Sequence, residues 1–221
     1  MKTTLEVKIL CDIPDSFFLK KAQSFIKFLI KKEINAKFYT DYEMIKDGGI
    51  LILISSQKIL SEKEINRFEK CFVVHPSKLP HGKGSAALAN YILSGLNEVW
   101  VTIFEPNAKI DSGDIWIQEG VKLKGHELMN ELREIQFNLT KRLVLELLVS
   151  YPVVNKITQT NNSTYFRKRT PVDSEISVDK SIKQQFNLLR IVDNNRYPAF
   201  FYMNGKKYVL KIYQVPIKKK I

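Results

Sequence analysis

Short apolar runs alternate, over the first two thirds of the chain, with stretches whose apolar residues recur at helical spacing. Leu5–Ile13 and Gly49–Ser55 are almost continuously apolar, the pattern of strands buried on both faces. Between them Phe17, Phe18, Ala22, Phe25, Ile26 and Leu29 share one helical face with lysines opposite, predicting a helix over 15–32. Ala36–Thr40 predicts a further strand. Ser61, with Glu64 three residues on, marks the capped start of a short helix over 61–68, and Lys70–His75 reads as another buried strand. A helix over 85–95 that stops at Gly95, β-branched strands over Glu98–Glu105 and Ile115–Val121, and a long amphipathic helix over 125–150 complete the alternation. Strands alternating with helices predict an α/β fold on a parallel, Rossmann-like sheet.

Beyond residue 150 the pattern changes. Tyr151–Pro171 is rich in Asn, Thr and Ser without periodicity and reads as a linker or extended arm. Ser181–Val192 predicts a short helix. Phe200–Met203 and Lys207–Tyr213 flank Asn204-Gly205, a two-residue hairpin signal. The expected division is a catalytic domain over 1–150 and a small α+β extension over 151–221, too short for much core of its own and so packed on the first.

Composition narrows the class. With 221 residues, 44% of them hydrophobic, and a mean hydropathy of −0.18, the chain suits a folded domain with an appended module. No apolar run is long enough to span a membrane. The N-terminus lacks the basic start and cleavage site of a secretory signal, and Cys11 and Cys71 sit in apolar runs as reduced thiols, so a cytoplasmic protein is expected. The net charge of +12 is uneven: residues 151–221 carry 14 Lys and Arg against 4 Asp and Glu. That excess suits a phosphate-bearing partner or a solvated lysine face, and Lys218–Lys220 read as a frayed tail. No Gly-rich nucleotide loop is present, and three histidines and two cysteines show no zinc spacing, so no metal is expected.

The informative stretch is Val74-His75-Pro76-Ser77-Lys78-Leu79-Pro80-His81-Gly82-Lys83-Gly84. A histidine ending a buried strand before a Gly-rich loop lies where α/β sheets place ligands. Asp111-Ser112-Gly113-Asp114-Ile115 follows further on. Singly, His75 reads as a strand-end histidine and Asp111 as a turn former. Together, at two strand ends of one sheet, they read as an acid–base pair.

His75-Pro76-Ser77-x-Leu79-Pro80 and Asp111-Ser112-Gly113-Asp114-Ile115 resemble the signatures of the 10-formyltetrahydrofolate-dependent formyltransferases. Lys58-Ile59-Leu60, Val101-Thr102-Ile103-Phe104, Tyr165-Phe166-Arg167-Lys168-Arg169, Asn187-Leu188-Leu189-Arg190 and Tyr197-Pro198-Ala199-Phe200 extend the resemblance over residues 49–213. The pattern looks most like the sugar N-formyltransferase branch, acting on UDP- or dTDP-linked 4-amino-4,6-dideoxy sugars. The resemblance implies that His75 accepts the amine proton and, once protonated, meets the oxyanion. It implies that Asp111 orients His75 and helps return a proton to the leaving nitrogen. The pterin would lie against Lys58, Ile59, Leu60, Cys71 and the loop into Asp111. The acceptor's phosphates and rings would meet Ser77, Lys78, Lys83, Arg167, Arg169, Arg190 and Tyr197.

The family pattern carries Asn two residues before the histidine, where this chain has Val73. Losing one oxyanion donor costs about 10²–10³ in rate, so a neighbour (Ser77, Asn90 or Asn107) substitutes, His75 acts alone, or the protein is a weak catalyst that binds folate or nucleotide sugar. A methionyl-tRNA formyltransferase shares the central motifs but carries a further C-terminal barrel. The length of this chain therefore points to the sugar reading, with a homodimer, no nucleic-acid partner, and a role in bacterial surface-polysaccharide or protein glycosylation.

Overall fold

The computed structural model describes residues 5–107, 110–153, 155–160 and 162–215; the predicted Lys218–Lys220 tail lies outside them. Six strands form one sheet: β1 (Val7–Leu10), β2 (Ala36–Tyr39), β3 (Ile50–Ile54), β4 (Lys70–His75), β6 (Glu98–Phe104) and β7 (Ile115–Lys122), in the spatial order β2-β1-β3-β4-β6-β7. The first four run parallel, as the sequence predicts. β6 and β7 do not: each is antiparallel to its neighbour. Only ten residues, 105–114, connect them, with no helix among those described, and a parallel pair needs a crossover of a dozen residues or more. The result is a Rossmann-like, mainly parallel sheet with an antiparallel edge.

The helices are α1 (Phe17–Lys31), α2 (Glu62–Ile65), α3 (Ala87–Leu93), α4 (Met129–Ser150) and α5 (Ile182–Ile191). α1 and α4 cover one face, burying Val7, Ile9, Ile50, Ile52, Phe72, Val101 and Ile103 against Phe18, Phe25, Phe137 and Leu143. Phe18, Phe25 and Phe137 meet at centroid distances of 5.2, 5.6 and 6.3 Å. The other face carries Leu51, Leu53 and Cys71, packed with Leu10, Tyr42, Leu60 and Phe68. Two predicted helices are shorter than their patterns suggest. α2 has four residues, though Ser61 and Glu64 form the expected capping box. α4 starts at Met129 rather than 125, because Gly125 adopts φ +100 and the Glu127 carboxylate accepts from Lys124 N and Gly125 N.

Ser16 caps α1 by accepting from Leu19 N at 3.1 Å. Replacing it with alanine orphans that donor and is expected to cost about 1 kcal/mol in urea unfolding.

After α4, the chain forms β8 (Tyr165–Phe166), which pairs with the two-residue β5 (Lys83–Gly84). α5 and the hairpin of β9 (Ala199–Met203) and β10 (Lys206–Leu210) follow, with Asn204 and Gly205 both at positive φ. Ile176, Leu189, Val192 and Ala199 make a small core there. Ile191 packs on Leu88, Ile92, Val99 and Leu132 of the larger part, and Leu188 touches both clusters. Among the described residues no helix is long and apolar enough to cross a membrane.

Candidate active site

Side chains alternate along β4, so Cys71, Val73 and His75 share one face of the sheet. β6 pairs Thr102 with His75 and Phe104 with Val73, and Val73 packs with Leu79, Phe104 and Ile115. Beyond His75 the chain turns sharply, with a cis Leu79–Pro80 bond. Polar side chains that read as ordinary strand or helix positions hold this loop. Thr102 Oγ1 donates to Ser77 O at 2.6 Å. Gln118 Nε2 donates to Leu79 O at 2.9 Å and to Thr102 Oγ1 at 2.8 Å. Tyr91 OH accepts from Lys78 N and donates to His81 O. The one available signal was Thr102 inside an apolar strand. Gly82, at φ +76, is required: an added Cβ would lie 2.9–3.0 Å from Tyr91 OH, the Phe166 ring and Ser77 Cβ.

His75 Nε2 donates to Gly82 O at 2.9 Å, which places the neutral ring's proton on Nε2 and leaves the Nδ1 lone pair without a hydrogen bond among the described residues. Nδ1 faces Asp111 Oδ1 at 3.8 Å, and both side chains are nearly enclosed, 8% and 12% exposed. Asp111 Oδ2 accepts from Gly84 N at 2.9 Å. One loop thus fixes both partners, through Gly82 and Gly84. The separation is too long for a direct hydrogen bond, but a proton taken up at Nδ1 would have a carboxylate beside it.

Asp111 does not reach His75 from a strand end at the same edge, as the sequence suggested. β6 is antiparallel and ends opposite Val73, two residues short of His75, so the segment 110–114 must bring Asp111 back beside His75. It can do so because Glu105 N donates to Asp114 O and because residue 113 is glycine; a Cβ there would lie 1.5 Å from Glu105 O.

The residues expected to meet the pterin lie on that same face. Leu60 and Cys71 are buried together, and burial pushes the Cys71 thiol up to about 12, so it is a wall and not a nucleophile. The Lys58 ammonium is committed to Glu64 at 2.6 Å and lies over the Tyr42 ring; that pairing, with the Ser61 donors, holds the Glu64 carboxyl down at about 2. Asp12, which the sequence reading missed, ties this segment to β1 by accepting from Ser56 Oγ and Gln57 N. Among the described residues, the backbone groups of Ile59 and Leu60 make no hydrogen bond.

The residues expected to bind the acceptor separate into two groups. Lys78 is exposed, with Nζ over the Trp100 ring. Lys83 pairs with the exposed Tyr165. Arg167 holds Asp173 in a two-pronged pair yet stays 73% exposed, and Arg169 donates to Asp173 O, with burial keeping its guanidinium below the ordinary range. Three expectations are corrected. Ser77 is fully buried beneath the Gly82 turn rather than on the surface of the loop, its hydroxyl without a partner among the described residues. Arg190 is 2% exposed, its guanidinium donating to Glu127 Oε2 at 3.0 Å, Glu127 O at 3.1 Å and Asn97 Oδ1 at 3.0 Å. It clamps the C-terminal part to the β7–α4 loop. Tyr197 lies in the α5–β9 turn with Asp193 and Arg196, not in the arm bordering His75.

Elsewhere, an 820 Å³ cleft opens between the starts of α1 and α4 and the α5–β9 turn, but neither His75 nor Asp111 lines it. Among the described residues no three His, Cys, Asp or Glu side chains converge as metal ligands.

The sequence pattern described as formyl transferase matches residues 8–146. A methionyl-tRNA formyltransferase of Caldicellulosiruptor saccharolyticus is 28% identical over 183 residues, covering 80% of this chain and 58% of its own length. With one from Anaplasma marginale, 31% identical over 65% of this chain and 46% of its own length, it shows that the chain spans about half the length of the curated relatives it matches. Among solved structures, a methionyl-tRNA formyltransferase from Clostridium thermocellum superposes with a TM-score of 0.75 at 22% identity, covering 98% of this chain and 95% of that one. A sugar N-formyltransferase from a Shewanella species gives 0.68 at 15%, covering 98% and 100%. HypX from Aquifex aeolicus, in complex with tetrahydrofolic acid, gives 0.70 at 15%, covering 95% and 38%.

Proposed function

Because this chain belongs to the formyl transferase family, we propose that it moves a formyl group from 10-formyltetrahydrofolate to the amine of a nucleotide-linked amino-deoxy sugar. The observation that carries the transfer chemistry is His75: Nε2 is satisfied by Gly82 O, and Nδ1, with no hydrogen bond among the described residues, faces Asp111 at 3.8 Å. An attacking amine must lose a proton, and Nδ1 is the group placed to take it, with Asp111 stabilising the imidazolium that results. That imidazolium then serves as the donor facing negative charge on the formyl oxygen, since Val73 has no donor to give; as the tetrahedral adduct collapses, the bond from the formyl carbon to the folate nitrogen breaks and that nitrogen takes the proton back, releasing tetrahydrofolate. The donor's ring system fits the segment around Ile59 and Leu60, whose backbone groups have no partner among the described residues, against the apolar wall of Leu60, Cys71 and Val73.

The acceptor side of this reading rests on charge and aromatic placement. Lys78, Lys83, Tyr165 and Arg167 lie along the loop and arm that flank His75, and cations with an exposed ring are what a nucleoside diphosphate calls for. Residues 1–150 then hold the donor and reacting groups, and 151–221 supply the acceptor-facing arm. A second reading, transfer to methionyl-tRNA, is favoured by the curated relatives.

The assay that separates them supplies 10-formyltetrahydrofolate with UDP- and dTDP-linked 4-amino-4,6-dideoxy sugars in one arm and charged initiator tRNA in the other. Turnover is expected with a sugar and not with the tRNA. Formylation of the tRNA alone reverses the assignment, and folate binding without turnover in either arm reduces the protein to a binder.

A further inference from the structure

The arm after α4, without periodicity in its sequence, spends its hydrogen bonds on the two loops that carry His75 and Asp111. Its first stretch holds the Asp111 loop. Ile157 exchanges both backbone bonds with Ile115, at 2.8 and 2.9 Å. Thr158 Oγ1 donates to Asp114 Oδ1 at 3.0 Å, and Gln159 Nε2 donates to Gly113 O at 2.8 Å. Lys156 adds an ion pair to Glu105, where that loop begins.

Its second stretch holds the His75 loop. Thr164 Oγ1 accepts from Gly82 N at 2.8 Å, Thr164 O accepts from Lys83 N at 3.0 Å, and Phe166 O accepts from Ser85 N at 3.0 Å. Gly84 is pressed against this stretch so closely that a Cβ would lie 2.5 Å from Phe166 O. The peptide units so gripped are those that hold the pair: Gly82 O receives His75 Nε2, and Gly84 N donates to Asp111.

We propose that residues 156–159 and 164–166 form a strap that sets the His75–Asp111 geometry from both sides, with Thr164 as the positioning residue for His75 and Thr158 and Gln159 as those for Asp111. The inference rests on reading His75 and Asp111 as the reacting pair. Thr164 touches neither of them; it acts through the residue Gly82, whose N–H it receives. Its hydroxyl fixes the Gly82 N–H, the turn fixes the Gly82 carbonyl, and the carbonyl keeps the imidazole proton on Nε2 and the lone pair on Nδ1. Misplacing reacting groups by about 1 Å can cost on the order of a hundredfold, so a residue outside the reacting shell can still govern the rate.

Thr164 is exposed, so Thr164→Val removes the acceptor without opening a core. Its test pairs steady-state kinetics with ¹⁵N NMR of the imidazoles, the His75 signal being assigned by substituting His81 and His126. The parent is expected to show neutral His75 protonated on Nε2. Thr164→Val is expected to show mixed tautomers, with kcat lower by roughly tenfold or more and KM for both substrates within about twofold. Thr164→Ser, which keeps the acceptor, should restore both readings. A His75 spectrum identical to the parent's overturns the proposal whatever the rate, and so does an altered spectrum with undiminished kcat. Should the parent transfer no formyl group at all, the proposed function fails by itself, while the ring spectrum still decides whether the strap holds His75.

Discussion

Replacing His75 with asparagine is expected to lower kcat for formyl transfer by at least about a hundredfold while leaving the chain folded. The asparagine amide reaches the level of Nδ1 rather than of Nε2 and so loses the bond to Gly82 O, while Thr102, Gln118, Tyr91 and Thr164 keep their bonds to the loop. The amide offers no basic lone pair where Nδ1 stands, and no cation can form there to face the developing oxyanion. Val73 sharpens the expectation. Its side chain packs on Leu79, Phe104 and Ile115 and has no donor, so the burden of charge stabilisation falls on the residue two positions on. Rates should be compared under saturating donor and acceptor, with a thermal melt as control. A variant within a few-fold of the parent rate, equally folded, would mean that another group takes the amine proton.

How far such a site can be read from sequence depends on where each residue spends its interactions. β1, β3 and β4 were legible because a strand buried on both faces must be apolar throughout, and α1 because only one of its faces is buried. The kinds of residue at positions 75 and 111 were legible in the same way, from a strand end and a Gly-containing turn. Their route to one another was not. Strand direction leaves no mark on composition, so the antiparallel β6 and the return of the segment 110–114 to His75 had to be seen. The arm was illegible for a related reason: Thr158, Gln159 and Thr164 bond to segments 44–82 positions away, and such bonds impose no periodicity. Buried charges were illegible as well. Lys8, in the middle of β1, is 2% exposed and gives its ammonium to the carbonyls of Lys46 and Asp47 at 2.9 and 3.0 Å, bracing the loop into β3. Arg190, which the resemblance offered to a phosphate, is instead sealed against Glu127.

That seal makes Glu127→Leu the most destabilising substitution expected outside the sheet core, at about 3–5 kcal/mol in chemical denaturation. Removing the carboxylate leaves the Arg190 guanidinium buried without a counter-charge and strands the Lys124 and Gly125 N–H groups that the same carboxylate receives. Arg190→Met should cost less, because Glu127 keeps those two backbone donors and methionine fills much of the vacated volume. The pH dependence follows from the direction of the Glu127 shift. Burial by itself would raise its pKa, but the N–H groups of Lys124 and Gly125 outweigh burial and hold the carboxyl below the ordinary range. A depressed carboxyl stabilises the fold above its unfolded pKa and loses that contribution as pH falls through the folded one. The stability gap between the parent and Glu127→Leu should therefore be full near neutrality and close progressively below about pH 4.5. The same variants test the reassignment of Arg190. A guanidinium that gripped the acceptor's phosphates would raise the acceptor KM when replaced, whereas a clamp between α5 and the β7–α4 loop should lower the unfolding midpoint and leave KM within about twofold.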